Sequence, residues 1–157
     1  MAVVKLPRMG KHEIEELIKE QMLCRIAFKG DDYPYVAPFH YVLYNGSLYF
    51  HFTDYGRKMK LLEKDNRVCV YIEKYQPDLS EYRFVALRGM LNPVTDPQER
   101  AEVIRMISQQ GRERLSENFL AAHGFKTEDG WASLTSNKPL LIIKLEQITE
   151  EVGLRSP

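Results

Sequence analysis

A tight turn between two strand-like segments constrains this chain more than any other local feature. Asn45-Gly46 stands between Tyr35–Tyr44, which is rich in aromatic and β-branched residues, and Ser47–Phe52. Both central residues of a type I′ turn adopt positive φ, which asparagine and glycine tolerate best, so the two segments are predicted to form an antiparallel hairpin. The strand-like run Leu23–Lys29 precedes them and extends the prediction to a three-stranded meander.

The rest of the chain switches between helical and strand patterns. An amphipathic helix is predicted for 11–22, a short helix for 57–64, and a longer helix from Asp96, which is a favourable N-cap followed by proline. The remaining predicted elements are strands over 67–73, 82–91 and 140–145, and a second short helix over 116–123. Six short strands with tight turns predict a small closed barrel in a single domain, residues 1–157, with a helical insert over about 96–130.

The predicted strand Tyr35–Tyr44 is apolar on both of its faces. A strand with one face in solvent would alternate apolar and polar residues more regularly. Its outer face is therefore predicted to be covered by a helix, a second subunit or a flat ligand.

Charge and composition exclude several classes of protein. Among the 157 residues, 22 Lys and Arg balance 22 Asp and Glu, so the formal net charge is zero. Nucleic-acid binders and polybasic membrane-surface proteins usually carry a basic excess, so neither partner is expected. The chain has no apolar run of membrane-helix length and no signal-peptide pattern. Cys24 and Cys69 lie in apolar stretches without companion ligands, so we expect a cytoplasmic protein without a metal site or disulfide.

The most informative segment, residues 50–60, passes from a strand through a short loop into a helix. That helix begins with the cations Arg57, Lys58 and Lys60, at the end that already carries about half a positive charge from the backbone. A phosphate would resolve this conflict, because it accepts hydrogen bonds from the N–H groups of the first helical turn and from Arg57 and Lys58. The pattern therefore indicates a phosphate site.

Two nearby residues fit a phosphate, and one alternative stays open. Thr53 would add a hydroxyl group, and Gly56 would let the backbone approach the ligand closely. In the alternative interpretation the segment is a solvated basic turn, whose cations pair with Asp54 or Glu63. The chain contains neither a Walker phosphate loop nor a glycine-rich dinucleotide fingerprint.

The order of these motifs resembles the pyridoxamine 5′-phosphate oxidase-like FMN-binding split barrels, nearest the branch of nitroimidazole-resistance-type flavin reductases. After the initial helix, the segments that carry the resemblance are Pro34–Val42, Asn45-Gly46, Leu48–His51, Gly56-Arg57-Lys58, Asn66–Cys69 and Arg88-Gly89. Beyond these segments the similarity holds only in outline. The resemblance implies a mainly β fold, a six-stranded antiparallel split β-barrel with α-helices.

The resemblance also implies a homodimer with FMN bound at the subunit interface. Its phosphate would lie on the basic helix start and its ring along two neighbouring strands. The residues implied are Thr53, Arg57 and Lys58 for the phosphate, and Val36, Ala37, Pro38, His51 and Phe52 for the ring. Residues of the second subunit would close the site.

Several aromatic and histidine side chains have two interpretations each. His51 is the candidate general acid or polar contact near the flavin, or an ordinary strand histidine with satisfied hydrogen bonds. His40 is in phase with the flavin-facing residues of its strand and has the same alternatives. Trp131 would stack on the partner's flavin or anchor its loop on the core. His12 and His123 have no companion ligands and are expected at the surface.

The function implied is that of an oxidoreductase, in which FMN takes a hydride from a reduced nicotinamide and passes electrons to a small organic acceptor. The alternatives are a non-catalytic FMN-binding electron-transfer protein, the same barrel holding haem or a deazaflavin, and a barrel for single-stranded nucleic acid, which the neutral charge disfavours. The pyridoxamine phosphate oxidases proper have a longer, basic C-terminal segment than Glu146–Pro157. Pyridoxamine phosphate itself is therefore not the expected substrate.

Overall fold

A computed structural model of the chain describes residues 3–121, 128, 130, 131, 134 and 140–157. Six antiparallel strands form a closed barrel in the order β1-β2-β3-β6-β5-β4. The strands are β1 (Leu23–Phe28), β2 (Tyr35–Tyr44), β3 (Ser47–Phe52), β4 (Arg67–Tyr75), β5 (Tyr82–Pro93) and β6 (Leu141–Arg155). The described helices are α1 (Lys11–Glu20), α2 (Arg57–Lys64), α3 (Pro97–Arg114) and α4 (Asn118–Ala121). The predicted fold class, a six-stranded antiparallel barrel with helices, is confirmed.

The predicted hairpin joins β2 to β3. Asn45 has φ of 48° and Gly46 has φ of 75°, the signs that a type I′ turn requires. From this turn the β2–β3 ladder runs to the pair Tyr41 and Phe50. Since β1 pairs with the other edge of β2, the three strands form the predicted meander.

The last strand is longer than the sequence predicts. The apolar run ends at Leu145, but β6 continues to Arg155 and pairs with β5 over most of its length. Gln147 has φ of 50°, and the ladder to β5 shifts register between Arg88 and Met90. An irregular, charged and exposed strand shows neither an apolar run nor regular alternation, so its sequence resembles a polar tail. The prediction of a strand end at 145 is wrong, because the C-terminal segment helps to close the barrel.

Apolar side chains form two clusters, one inside the barrel and one under α3. The first contains Phe28, Phe50, Phe52, Val70 and Ile72, all almost fully buried. The second joins the outer faces of β2, β3 and β6 to α3 and includes Val42, Tyr49, Ile142, Val103 and Ile107. The second half of β2 is thus buried on both faces, which accounts for its apolar pattern there. The cover over this half is a helix, one of the three expected covers.

Helix α1 lies on the barrel by its apolar side. Ile14, Leu17 and Ile18 are its buried residues, and the Tyr41 hydroxyl donates a hydrogen bond to the Ile18 carbonyl oxygen at 2.6 Å. Burial raises the pKa of the Cys24 thiol to about 12, so this cysteine is a core residue. Among the described residues, no helix is both long and apolar enough to span a membrane.

Polar contacts attach the start of α3 to the barrel. The predicted N-cap, Asp96, accepts a hydrogen bond from the Glu99 backbone N–H at 2.8 Å. Glu99 Oε1 in turn accepts hydrogen bonds from the Tyr49 hydroxyl at 2.7 Å and from Lys144 Nζ at 3.3 Å. Burial, reinforced by the Glu99 carboxylate, raises the pKa of Tyr49. The hydrogen bond with Tyr49 raises the pKa of Lys144.

The raised pKa of Tyr49 makes this attachment sensitive to alkaline pH. The folded chain holds the Tyr49 proton to a higher pH than the unfolded chain, in which a tyrosine pKa is about 10. The stability that the protonated Tyr49 side chain contributes is fully present below about pH 10, the pKa of a tyrosine in the unfolded chain. It is lost as the pH rises through the raised pKa that Tyr49 has in the folded chain. We expect the unfolding free energy of the wild type, measured by urea titration, to begin to fall relative to that of Tyr49→Phe as the pH rises above about 10. A pH-independent difference between the two proteins would contradict this prediction.

Candidate functional site

One edge of β2 is open beyond the end of its ladder to β3. In the described part of the chain the β2–β3 ladder ends at Tyr41 and Phe50, whereas the β1–β2 ladder continues to Tyr35. Pro38 lies in this open stretch, opposite Arg25 of β1. A proline beyond the end of the β2–β3 ladder deprives β3 of no hydrogen bond, which explains why a proline is tolerated in this strand.

The three β2 residues predicted to contact a flavin ring alternate in direction. Val36 and Pro38 face outward and are exposed, with 56% of Val36 accessible. Ala37 pairs with the fully buried Ile26 and faces the barrel interior, so only its main chain borders the outer surface. The open stretch therefore presents an exposed apolar strip made of Val36 and Pro38.

The side chain of Phe52 points away from this strip. Its ring is fully buried inside the barrel and lies 4.9 Å from the ring centre of Phe39. Adjacent residues of a strand face opposite sides, so His51 and Phe52 cannot both face one ligand. The ring of Phe52 is a core element, so the predicted flavin contact at Phe52 stays a prediction that only its main chain could fulfil.

His40 and His51 lie on the outer face but are covered. They are 4% and 6% exposed, and their ring centres are 5.6 Å apart. Phe119 of α4 lies over both, at 5.9 Å and 6.2 Å, with its ring nearly perpendicular to each. His40 Nε2 is 2.5 Å from Gln110 Oε1 of α3. The acid–base role of His51 stays a prediction, for a ring that this structure places under an aromatic cover.

Trp131 belongs to the apolar cluster under α3. Its side chain is 4% exposed and stacks on Phe119 with 6.4 Å between ring centres. Its carbonyl oxygen accepts a hydrogen bond from the Ser108 hydroxyl at 2.8 Å. The buried ring fits the loop-anchoring alternative, and the stacking of Trp131 on a partner's flavin stays a prediction. His12 is exposed and pairs with Glu16, as expected at the surface, whereas His123 lies outside the described residues.

The loop between β3 and α2 leaves the start of α2 open to a ligand. Gly56, the N-cap of α2, has φ of 101° and provides no side-chain cap, and a Cβ built there would meet nothing within 4 Å. The first turn of α2 contains no acidic residue. The first N–H groups of a helix have no acceptor within the helix, so this turn offers donors to an external anion.

Predicted phosphate ligands surround this helix start. Lys58 Nζ donates a hydrogen bond to Thr53 Oγ1 at 3.1 Å, and the Thr53 hydroxyl donates to the Tyr55 carbonyl oxygen at 3.2 Å. Partial burial lowers the pKa of the Lys58 ammonium group. The Arg57 guanidinium lies 5.7 Å from the ring centre of Tyr35, the residue before the apolar strip. We call Thr53, Gly56, Arg57 and Lys58 the basic cradle.

The ion pairs near the basic cradle involve other residues. Lys64, at the far end of α2, pairs with Asp31 at 3.0 Å, and Asp65 pairs with Lys29 and Arg67. In the described part of the chain, neither Arg57 nor Lys58 forms an ion pair with Asp54 or Glu63. The alternative of a self-neutralised basic turn is therefore not the arrangement observed.

A cavity that the sequence does not predict adjoins the basic cradle. It has a volume of about 690 Å³ and lies between the β1–β2 loop and α2. Its walls include Tyr33 and Tyr35 from the loop side and Arg57 and Lys60 from the helix. The sequence carries only a weak signal for it, an aromatic residue before Pro34 in a segment otherwise typical of a turn.

The outer face of the barrel opposite α3 is apolar and partly exposed. Tyr71 of β4 and Phe84 of β5 pack side by side there, with 5.5 Å between ring centres. Ala27, Cys69 and Ala86 continue the face, and all three are half-buried. Charged pairs border it, among them Arg88 with Glu150 at 3.0 Å. We call this surface the open face.

Comparisons with known proteins agree with this architecture. A family model described as pyridoxamine 5′-phosphate oxidase matches residues 10–128. No curated protein sequence matches the chain.

Solved structures of low sequence identity share the fold. A FAD-binding protein of Mesorhizobium loti is 17% identical, with a TM-score of 0.70 over 98% of this chain and 100% of its own. The FAD binding protein of Mycobacterium smegmatis is 18% identical, with a TM-score of 0.64 over 96% of this chain and 100% of its own. A NimC/NimA family protein of Clostridium acetobutylicum is 14% identical, with a TM-score of 0.58 over 94% of this chain and 85% of its own. Because the family model spans most of the sequence and the fold agrees, the chain belongs to the pyridoxamine 5′-phosphate oxidase family.

Proposed function

We propose that this chain is an FMN-binding oxidoreductase that works as a homodimer. The observation that carries the proposal is the basic cradle next to the exposed apolar strip of β2. FMN has the matching chemistry, a flat apolar ring with a dianionic phosphate at the end of its tail. Two solved structures of the same fold are named as FAD-binding proteins, which supports a flavin as the ligand class.

Each part of the cradle has a distinct role in binding the phosphate. The open first turn of α2 supplies backbone N–H donors, and Arg57 and Lys58 supply charge-assisted hydrogen bonds. The Thr53 hydroxyl, already in contact with Lys58, adds a polar contact. The free space beyond Gly56 allows a phosphate to approach the main chain.

The apolar strip of Val36 and Pro38 would lie along the ring and keep water from one of its faces. FMN, when bound, supplies the redox chemistry: it accepts a hydride from a reduced nicotinamide and passes electrons to a small organic acceptor. The protein binds and orients the ring. His51, beneath Phe119, is the candidate for holding a proton near it.

A second copy of the chain would cover the open face. Half-buried aromatic side chains on an apolar sheet face, bordered by charged pairs, fit a protein–protein interface. The face lies beside the apolar strip, since β1 connects the two surfaces. A dimer formed there would bring the second subunit to the flavin site. The cytoplasmic location of such a dimer stays a prediction from composition.

One observation favours the second candidate, a non-catalytic FMN-binding protein. Both histidines next to the strip are almost fully buried, so an acid–base group is not freely accessible in the described part of the site. Turnover separates the two candidates, because a carrier binds FMN but does not oxidise a reduced nicotinamide steadily.

The decisive measurement is spectroscopic. The purified protein, gel-filtered with added FMN, is expected to elute as a dimer that carries one FMN per chain, detected by visible absorbance. Anaerobic NADH or NADPH should then bleach the flavin, and an acceptor should restore it. Failure to retain FMN would overturn the proposal. A haem or deazaflavin spectrum would identify that group as the ligand in place of FMN. If the protein retains FMN but neither NADH nor NADPH bleaches it, the result would favour the carrier function.

A further inference from the structure

We propose that the cavity between the β1–β2 loop and α2 is a subsite for an adenosine 5′-diphosphate group, continuous with the basic cradle. This inference rests on the proposed function, because Arg57 lines both the cavity and the cradle. A volume of about 690 Å³ lies within the usual range of ligand pockets, roughly 300–1,000 Å³. The cavity is therefore large enough for a nucleotide.

The cavity extends along one face of α2. Arg57, Lys60 and Lys64 line it, at the three- and four-residue spacing that places side chains on the same side of a helix. A helix rises about 1.5 Å per residue, so this face runs roughly 10 Å from the first turn to the last. A ligand whose first phosphate occupies the cradle can thus continue along the helix into the cavity.

The charges along this face suit a diphosphate at the cradle end. Lys64 is already neutralised by Asp31, whose two carboxylate oxygens accept its hydrogen bonds at 3.0 Å and 3.1 Å. Arg57 and Lys60 form no ion pair in the described part of the chain. Two cations one helical turn apart match two phosphates joined by one bridging oxygen.

The carboxylates of the cavity distinguish a nucleotide from a simple anion. Asp32 and Glu63 line the walls together with the cations. They would repel an inorganic phosphate deep in the cavity, but a carboxylate is the usual acceptor for ribose hydroxyl groups. Their presence farther along the cavity therefore favours a ribose there.

An aromatic side chain is available for the base. Tyr33 lines the cavity and is 83% exposed, so its ring is accessible to a ligand in the cavity. The Tyr35 ring is already engaged by Arg57 and by Phe28, whose ring centre is 5.6 Å away. Tyr33 is therefore the residue that we expect to stack on adenine.

The same adenosine diphosphate group occurs in two ligand classes. It is the distal half of FAD, and it is also part of nicotinamide dinucleotides. Because the group would share the cradle with the FMN phosphate, a nicotinamide dinucleotide could occupy the subsite only in the absence of FMN. The test must therefore establish first whether the subsite exists and then which of the two molecules brings the group to it.

The test measures binding of ADP, FAD and FMN to the full chain by calorimetry. Tyr33→Ala and Lys60→Ala are each expected to weaken ADP and FAD binding by roughly tenfold, as expected for loss of one stacking or charge-assisted contact, with a much smaller effect on FMN. Tyr75→Ala and Lys74→Ala, exposed residues at the end of β4, are matched controls and should leave all three affinities unchanged.

The outcomes separate the source of the group and the two proposals. If ADP competes with FAD and FAD binds more tightly than FMN, the subsite takes the distal half of FAD. If ADP and NADH bind to the FMN-free protein and FMN displaces both, while FAD binds no more tightly than FMN, the group comes from a dinucleotide that competes with the flavin. Binding of ADP to the FMN-loaded protein without displacement of FMN would show that the group does not share the cradle, and would overturn the proposed continuity. Unchanged ADP and FAD affinities in both subsite variants would overturn the subsite, even where FMN binds normally. Loss of FMN binding alone would instead overturn the proposed function.

Discussion

Replacing Arg57 and Lys58 together by alanine is expected to weaken FMN binding by at least about 100-fold. A hydrogen bond to a charged group is worth about 1.5–3 kcal/mol, and every 1.4 kcal/mol changes an affinity tenfold. Both side chains lie at the uncapped start of α2, and neither forms an ion pair in the described part of the chain. Replacing both side chains therefore leaves few groups of the protein without a hydrogen-bond or ion-pair partner. The expected result is FMN loss without unfolding.

The measurement is fluorescence titration of FMN into the apoprotein, with thermal unfolding followed in parallel. Lys74 and Arg83 form a matched control, because they face each other on β4 and β5 and are both exposed. Their double alanine variant should bind FMN as the wild type does. If the cradle variant retained full affinity, the phosphate would have to bind elsewhere.

Gly111→Ala is expected to destabilise the protein by about 1–3 kcal/mol, the usual cost of overpacking. In an ordinary helix interior the same substitution stabilises by about 1 kcal/mol, so the sign itself is diagnostic. A Cβ on Gly111 would lie 2.3 Å from two atoms of the Trp131 ring. This ring is buried and stacked on Phe119, so it cannot move aside without disrupting the cluster under α3.

Urea unfolding of two further variants tests this explanation. Gly10→Ala should cost less than Gly111→Ala, because a Cβ there meets nothing within 4 Å and only a favoured N-cap residue of α1 is lost. Trp131→Phe provides the smaller ring, and the double variant with Gly111→Ala should lose less than the sum of the two single losses. If Gly111→Ala raised the free energy of unfolding instead, the Trp131 ring would not pack against α3 at Gly111.

Local chemistry accounts for what the sequence predicts correctly. The positive φ that Asn45 and Gly46 adopt and the capping of α3 by Asp96 depend on residues close in the chain, so both elements are predictable. The later part of β6 is different. Its charged residues form a strand because β5 provides a ladder for them, and that information is not local to the segment.

The candidate site likewise combines features that the local sequence predicts with features that depend on distant contacts. The cations at Arg57 and Lys58 conflict with the helix dipole, and this conflict can be recognised in the sequence. Which side chains of β3 point outward depends on the strand phase, so the sequence did not show that the ring of Phe52 belongs to the core. The covers over His51 and Trp131 come from distant helices, and a single sequence does not show which helix packs on which strand.

Strand β2 serves two different purposes along its length. Around Val42 both faces are packed, so substitutions there are limited by the stability of the monomer. Around Val36 and Pro38 the outer face is exposed, and substitutions there cost the fold little. A change of ligand can therefore evolve at one end of the strand while the other end keeps the barrel intact.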